Sequence, residues 1–290
     1  MAPSPFLLPP GPLSPDWVER EYNNRELVPE HPAFFERWER DSAFVRQTLP
    51  GRLDLAYGPD ARHRIDLFPA SGSDRLLVFL HGGYWRGLDK RMFAWLAPAW
   101  VAEGVSVALL NYRLCPAVRI PDIVDDAIAA VNWIAANAAA HGVGAGRIVL
   151  SGHSAGGHLV AALFAAGRER LDFDPARIAG GVAVSGIYDF SPLPLFSGNA
   201  ELRLDAASAR ALDLYDRRPA IAAPLVVAVG GAESGEFIRQ SRLIADRWSS
   251  QVSSLLVLPE LHHFNVIEAL AERGQPLHAA TLRCLTPSGV

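Results

Sequence analysis

The chain has 290 residues, of which 50% are hydrophobic and 20% are charged, and its formal net charge at pH 7 is −4. This composition is typical of a globular protein with a large core. The modest charge and the lack of a long basic run argue against nucleic acid or an anionic membrane as a partner. The two cysteines, Cys115 and Cys284, indicate neither a disulfide framework nor a zinc site. No apolar run approaches the roughly 18 residues of a membrane span. The N-terminus lacks the basic region of a signal peptide, and we expect a cytoplasmic protein.

The N-terminal part of the chain divides into two segments. Residues 1–15 are rich in proline, and we expect them to be disordered. Residues 16–50 are charged with interspersed aromatic side chains, and the spacing of Phe34, Phe35 and Trp38 predicts one face of a helix. We expect helices here to form a small N-terminal cap, with core packing as the simplest role for most of the aromatics.

From residue 53 onwards, predicted strands alternate with predicted helices. Residues 53–57 and 63–68 alternate in polarity and predict an antiparallel pair at a sheet edge. Buried strands are predicted from short apolar runs at residues 76–80, 105–112, 147–150, 178–185, 225–229 and 254–258. Helices are predicted at residues 90–103, 121–140, 154–166, 206–212, 235–248, 265–271 and 275–284. The alternation predicts a single α/β domain over residues 16–290. Its sheet is mainly parallel with helices on both faces, and an irregular insert at residues 186–218 lies over the site.

A glycine-rich turn joins the predicted strand at 147–150 to the next helix and reads Gly152-His-Ser-Ala-Gly156. The pattern Gly-x-Ser-x-Gly between a strand and a helix is the nucleophile elbow of α/β-hydrolases. Glycine is needed because a Cβ beside the serine would clash in so tight a turn. Ser154 would then be exposed close to the free N–H groups of a helix N-terminus. The alternative is an ordinary strand-to-helix turn built from small residues.

A second glycine-rich loop, His81-Gly-Gly-Tyr-Trp85, directly follows the apolar run 76–80. α/β-Hydrolases carry the other half of their oxyanion hole at this position. We therefore expect the N–H groups of Ala155 and of Gly82 or Gly83 to bind a developing oxyanion. Such donors contribute about 2.7–4 kcal/mol each. A plain strand-ending turn is the alternative, and His81 is interpreted as a loop-ordering residue.

An α/β-hydrolase carries its serine, acid and histidine in that chain order, because the serine needs a base and the base needs a carboxylate. Only His262, His263 and His278 follow the predicted strand at 254–258. His278 falls within a predicted terminal helix, and His263 is the favoured base of the remaining pair.

The acid is expected after the strand at 225–229. Glu233 lies in the loop just beyond that strand and is the favoured acid, with Glu236 and Asp246 as alternatives. Glu236 falls at a predicted helix start, where the helix dipole favours a carboxylate without any catalytic role.

A metal site is not predicted. His153 and His158 are five residues apart and would point to different helix faces. No His-Glu-x-x-His motif is present, and we expect no cofactor.

Several motifs together resemble the serine-dependent kynurenine formamidases (arylformamidases), which belong to the esterase/lipase group of α/β-hydrolases. The motifs that carry this likeness are His81-Gly-Gly-Tyr-Trp85, Gly152-His-Ser-Ala-Gly-Gly-His158, Ser185-Gly-Ile-Tyr-Asp189, Glu233-Ser-Gly-Glu-Phe237 and His263-Phe264. The segment Glu21-Tyr-Asn-Asn-Arg25 is similar to the lead segment of bacterial members. The likeness runs from about Glu21 to Glu268.

The resemblance implies Ser154 as nucleophile, His263 as base and Glu233 as acid, at a position where many members have aspartate. It also implies Gly82 and Gly83 as the oxyanion loop and N-formylkynurenine as substrate. The leaving aryl amine of that substrate is large and aromatic, and three aromatic side chains are expected to line its pocket: Tyr84, Trp85 and Tyr188. Asp189 is a candidate for meeting an ammonium group. Core packing is the alternative for each of them.

Two other functions stay open from the sequence. A carboxylesterase for small acyl esters would use the same three residues. A catalytically inactive binding module would need a broken triad position, and none is broken here. The expected partner is a small-molecule substrate, and the sequence leaves a homodimer open.

Overall fold

A computed structural model describes residues 4–9 and 13–286 of the chain. Within these residues eight strands form one sheet: β1 (Arg52–Ala56), β2 (Arg64–Phe68), β3 (Arg75–Leu80), β4 (Ser106–Leu110), β5 (Arg147–His153), β6 (Ile178–Val184), β7 (Leu225–Gly230) and β8 (Val252–Leu258). Their order across the sheet is β1-β2-β4-β3-β5-β6-β7-β8. β2 runs antiparallel to both β1 and β4, and the other neighbours pair in parallel. The predicted antiparallel edge and mainly parallel sheet are confirmed.

The helices of the described residues are α1 (Pro15–Tyr22), α2 (Asn24–Leu27), α3 (His31–Thr48), α4 (Ala97–Val101), α5 (Ile120–Asn137), α6 (Ala155–Ala165), α7 (Asn199–Leu202), α8 (Ala206–Leu212), α9 (Gly235–Arg247) and α10 (Pro276–Leu285). Short 3₁₀ segments add to them, including Lys90–Leu96 before α4 and Glu268–Leu270 before α10. Among these residues, no helix is both long and apolar enough to cross a membrane.

Two predicted helices differ from the structure. The start of the predicted helix 90–103 is 3₁₀, and near the end of this segment the N–H of Trp95 donates to Oγ of Ser42. The predicted helix 265–271 shrinks to one 3₁₀ turn. There, Oδ1 of Asn265 accepts from the N–H of His262 at 2.7 Å. Such local side-chain bonds favour a turn over a helix.

The core lies on both faces of the sheet. Along β3, Leu76, Val78 and Leu80 belong to one apolar cluster, whereas Leu77 and Phe79 belong to a second cluster on the other face. Alternate residues of a strand point to opposite faces, so both faces of this strand are covered. Full coverage is what a parallel sheet requires. It leaves the carboxyl ends of the strands as the place for a site.

The N-terminal segment packs on the same end of the sheet. The expected disorder of residues 1–15 falls in part on residues 1–3 and 10–12, which lie outside the described residues. Residues 4–9 instead contact the domain, because Nη1 of Arg239 donates to the carbonyl oxygen of Phe6 at 2.8 Å. Ser14 then caps α1 by accepting from the N–H of Trp17.

Candidate active site

Ser154 occupies a sharp turn between β5 and α6, with φ of 55° and ψ of −119°. Its N–H donates to the carbonyl oxygen of Val184 in β6 at 2.8 Å. A Cβ on Gly156 would overlap the carbonyl oxygen of Leu80, and one on Gly152 would overlap Gly156. The two glycines of the motif are therefore required for steric reasons, and the turn presents the serine at the carboxyl end of β5.

A buried carboxylate lies behind His263. Oε2 of Glu233 is 2.6 Å from Nδ1 of His263. The other oxygen, Oε1, accepts from Oγ of Ser185 at 2.5 Å and from the N–H of Gly230 at 2.8 Å. Both carboxylate oxygens are thus held, and the histidine keeps Nε2 for proton exchange. His263 and Ser154 line the same cavity.

Of the alternatives, Asp246 is exposed in α9, and Glu236, His262 and His278 have other partners. Glu236 is fully buried, accepts from the hydroxyl of Tyr22 at 2.6 Å and pairs with Arg239. Nδ1 of His262 accepts from the N–H of Phe264 at 3.2 Å. The ring of His278 stacks on Trp100 with 4.4 Å between the centroids. The structure therefore brings Glu233 and His263 together and places these other candidates elsewhere.

The predicted oxyanion loop lies against the elbow. A Cβ on Gly82 would be 3.1 Å from Cβ of Ser154 and 3.0 Å from the carbonyl oxygen of His153. Gly83 has a φ of 109° and lines the cavity. Within the described residues, the N–H groups of Gly83 and Ala155 donate no backbone hydrogen bond. Unpaired N–H groups at these positions are what the predicted oxyanion hole requires.

Two buried histidines next to the site stay neutral near pH 7. Burial lowers the pKa of His81 to about 4. Burial and the neighbouring His263 hold the pKa of His153 well below its usual range. The ring of His153 packs on that of His263 with 4.7 Å between the centroids. This leaves His263 as the histidine of the cavity that is hydrogen bonded to a carboxylate.

The cavity has a volume of about 250 Å³. Its aromatic lining comes from Phe35, Trp38, Tyr84, Phe196 and Phe264. Its polar lining beyond Ser154 and the histidines includes Asn23, Asn24, Arg25, Arg86 and Glu201. The N-terminal helices and the 186–218 segment therefore both reach the site. In the sequence, the Glu21–Arg25 motif was the signal that could have located the N-terminal residues of the site.

Comparison with known proteins decides the family. A family model described as "alpha/beta hydrolase fold" matches residues 77–229. The kynurenine formamidase of Salmo salar is 26% identical over 95% of this chain and 95% of that protein. The kynurenine formamidase of Danio rerio is 30% identical over 84% of each chain. The chain belongs to the kynurenine formamidase family of α/β-hydrolases. The protein is a hydrolase.

A solved structure of another protein is also similar to this chain. A candidate thioesterase from Silicibacter sp. TM1040 has a TM-score of 0.82 with this chain at 35% identity. The match covers 91% of this chain and 98% of that chain.

Two aromatic residues of the formamidase-like motifs lie away from the cavity, contrary to prediction. Trp85 is fully buried, and its Nε1 donates to Nδ1 of His158 at 3.2 Å. Tyr188 is fully buried beside Gly186. The positive φ values of Tyr84 and Trp85 turn the loop sharply. Tyr84 lines the cavity, whereas Trp85 lies in the core.

Asp189 is likewise unavailable to a substrate. Its Oδ2 is 2.7 Å from Nη2 of Arg239, and the carboxylate is 2% exposed. The same guanidinium also bonds Glu236. Asp189 therefore belongs to a buried ion-pair network that anchors α9, and the expectation that it meets an ammonium group is wrong.

Proposed function

We propose that this protein hydrolyses the formamide bond of N-formylkynurenine to release kynurenine and formate. The observation that carries the proposal is the Glu233–His263 hydrogen bond, 2.6 Å long, whose histidine shares a cavity with the elbow serine. The named formamidase relatives support the choice of a formamide over other acyl substrates.

The first step forms a formyl-enzyme. Oγ of Ser154 attacks the formyl carbon while Nε2 of His263 takes the hydroxyl proton. Glu233 stabilises the imidazolium that results. The oxygen of the tetrahedral intermediate takes the negative charge, and the N–H groups of Ala155 and Gly83 would bind it.

The second half of the cycle returns the proton. His263 donates it to the aryl amine nitrogen as the carbon–nitrogen bond breaks, so the amine leaves neutral. Water then attacks the formyl ester of Ser154, with His263 again as base. Collapse of this second intermediate releases formate and regenerates the serine hydroxyl.

The aromatic lining of the cavity supports a substrate with a large aromatic leaving group. A formyl carbon carries only hydrogen, so the acyl side needs almost no room. The aryl amine would pack against Phe35, Tyr84 and Phe196, which line the cavity.

A carboxylesterase is the alternative, since the same residues would cleave a small acyl ester. The solved Silicibacter relative, described as a candidate thioesterase, is the observation that favours a different leaving group. Fold similarity by itself does not separate these substrates.

The test is kcat/KM on N-formylkynurenine beside p-nitrophenyl acetate and butyrate, with Ser154→Ala as the blank. The proposal expects about 10⁴ M⁻¹s⁻¹ or more on the formamide. Strong ester cleavage with negligible formamide turnover would overturn it in favour of the carboxylesterase. Full activity in the Ser154→Ala protein would contradict the serine mechanism itself.

A further inference from the structure

Asn24 is a buried polar side chain in the wall of the cavity. It is 4% exposed and lines the cavity beside Ser154. Its Nδ2 has no hydrogen-bond partner within the described residues. An unpaired buried amide destabilises a fold, and such groups in native proteins call for an explanation. Rotation of the side-chain amide would turn Nδ2 towards the cavity, where a hydrogen-bond acceptor on the substrate would supply the missing partner.

Arg25, the next residue along α2, places a cation at the cavity. Arg25 is exposed, it has no salt-bridge partner among the described residues, and its guanidinium carbon is 5.9 Å from the ring centroid of Phe35. The second cationic side chain of the lining, Arg86, is already paired with Glu201. The cavity therefore carries one unneutralised positive charge at the N-terminal side.

We propose that Asn24 and Arg25 bind the carboxylate of the substrate's leaving group. The inference rests on the proposed function, since N-formylkynurenine carries an α-amino acid side chain next to its formamide. A guanidinium pairs well with a carboxylate, and an amide N–H₂ adds a directed donor. The site thus selects aryl formamides that carry a carboxylate over those that lack one. α2 is the element that sets this preference.

The first test compares two substrates that differ only in the amino acid group, N-formylkynurenine and N-formyl-2-aminoacetophenone. Arg25→Leu should lower kcat/KM on the first about tenfold, mainly through KM, which corresponds to about 1.4 kcal/mol. On the second it should change kcat/KM less than about twofold. Arg25→Lys should retain part of the preference. Equal losses on both substrates, or no loss on either, would overturn the proposal.

Arg20→Leu is the matched control for charge. Arg20 lies in α1, its side chain is 63% exposed, and it is absent from the cavity lining. The Arg20→Leu protein should have the same kcat/KM as the unmodified protein on both substrates. A loss that matches Arg25→Leu would indicate a general effect of net charge and contradict a local site.

Asn24→Leu separates binding from folding. Removing an unpaired buried amide should leave the melting temperature unchanged or raise it. The same change should raise KM for N-formylkynurenine and leave KM for the neutral formamide almost unchanged. A lower melting temperature with equal losses on both substrates would show that Asn24 is structural.

Inhibition of p-nitrophenyl acetate hydrolysis tests the site without formamide turnover. Kynurenine should inhibit more strongly than 2-aminoacetophenone, and Arg25→Leu should abolish the difference. If this holds while neither formamide is cleaved, the carboxylate site stands and the proposed function fails. If formamides are cleaved but the two inhibitors remain equal, the function stands and the carboxylate site fails.

Discussion

Ser185 donates its hydroxyl hydrogen to Oε1 of Glu233 at 2.5 Å. The opposite oxygen of the same carboxylate lies 2.6 Å from Nδ1 of His263. Ser185 directly follows β6 with a φ of 50°, whereas Glu233 follows β7. Two neighbouring strands thus hold one carboxylate, and Ser185 acts as a positioning residue for it.

Ser185→Ala should lower kcat about tenfold, because the carboxylate loses a charge-assisted hydrogen bond that fixes its orientation. KM should stay nearly constant, since Ser185 does not line the cavity. Steady-state kinetics check this, and Ser185→Thr should restore much of the rate if the hydroxyl is what matters. Ser191→Ala, an exposed serine in the following loop, is the control. A large KM effect would contradict a positioning role.

Glu233→Gln and Glu236→Gln should have opposite consequences. The first should lower kcat by about a hundredfold or more, because the imidazolium of His263 loses its counter-charge. The second should keep most of kcat and lower the free energy of unfolding by about 3 kcal/mol, because it breaks the buried pair with Arg239. Steady-state kinetics and chemical denaturation of both variants test which of the two glutamates is the acid. Reversed behaviour would show that Glu236 is the acid.

Ser154→Gly should be more stable than Ser154→Ala by about 1 kcal/mol. The serine holds a φ of 55°, which costs a residue with a Cβ and suits glycine. Both variants lack the nucleophile and should be inactive. Urea denaturation compares them directly, and equal stabilities would argue against strain at the elbow.

Buried histidines should make the fold sensitive to acid. Burial lowers the pKa of His81 to about 4 and that of His158 to about 3. The unfolded chain binds these protons near pH 6.5 and the folded chain does not. Stability is therefore fully present above about pH 6.5 and falls as the pH falls.

Each of these two histidines should lower the free energy of unfolding of the protein by about 2 kcal/mol as the pH falls from about 6.5 to 5. His158→Gln should flatten the pH dependence of the free energy of unfolding relative to the unmodified chain. His141→Gln, a partly exposed histidine, should not. Denaturation curves at pH 5, 6 and 7 test this, and identical slopes in both variants would contradict it.

Local pattern determined most of the fold. Apolar runs separated by amphipathic segments predicted the strands within one or two residues for β3, β6 and β7. A Cβ on Gly152 would overlap Gly156 within the same strand–turn–helix unit, so this part of the elbow motif is determined locally, whereas Gly156 is required by the carbonyl oxygen of Leu80 in β3. Chain order then narrowed the histidine and the acid to a few positions.

The tertiary structure decided the pairings between distant segments. Tyr22 donates to Glu236, 214 positions away, and this contact assigns Glu236 to the anchor of the N-terminal helices. Nothing in the local sequence distinguishes Tyr84, which lines the cavity, from Trp85, which is buried beside it. Asn24 and Arg25 likewise reach the site only through the packing of α2. Hydrophobic periodicity reports burial along one element, whereas a cavity is built where separate elements meet, and those contacts have no signature within a single stretch of chain.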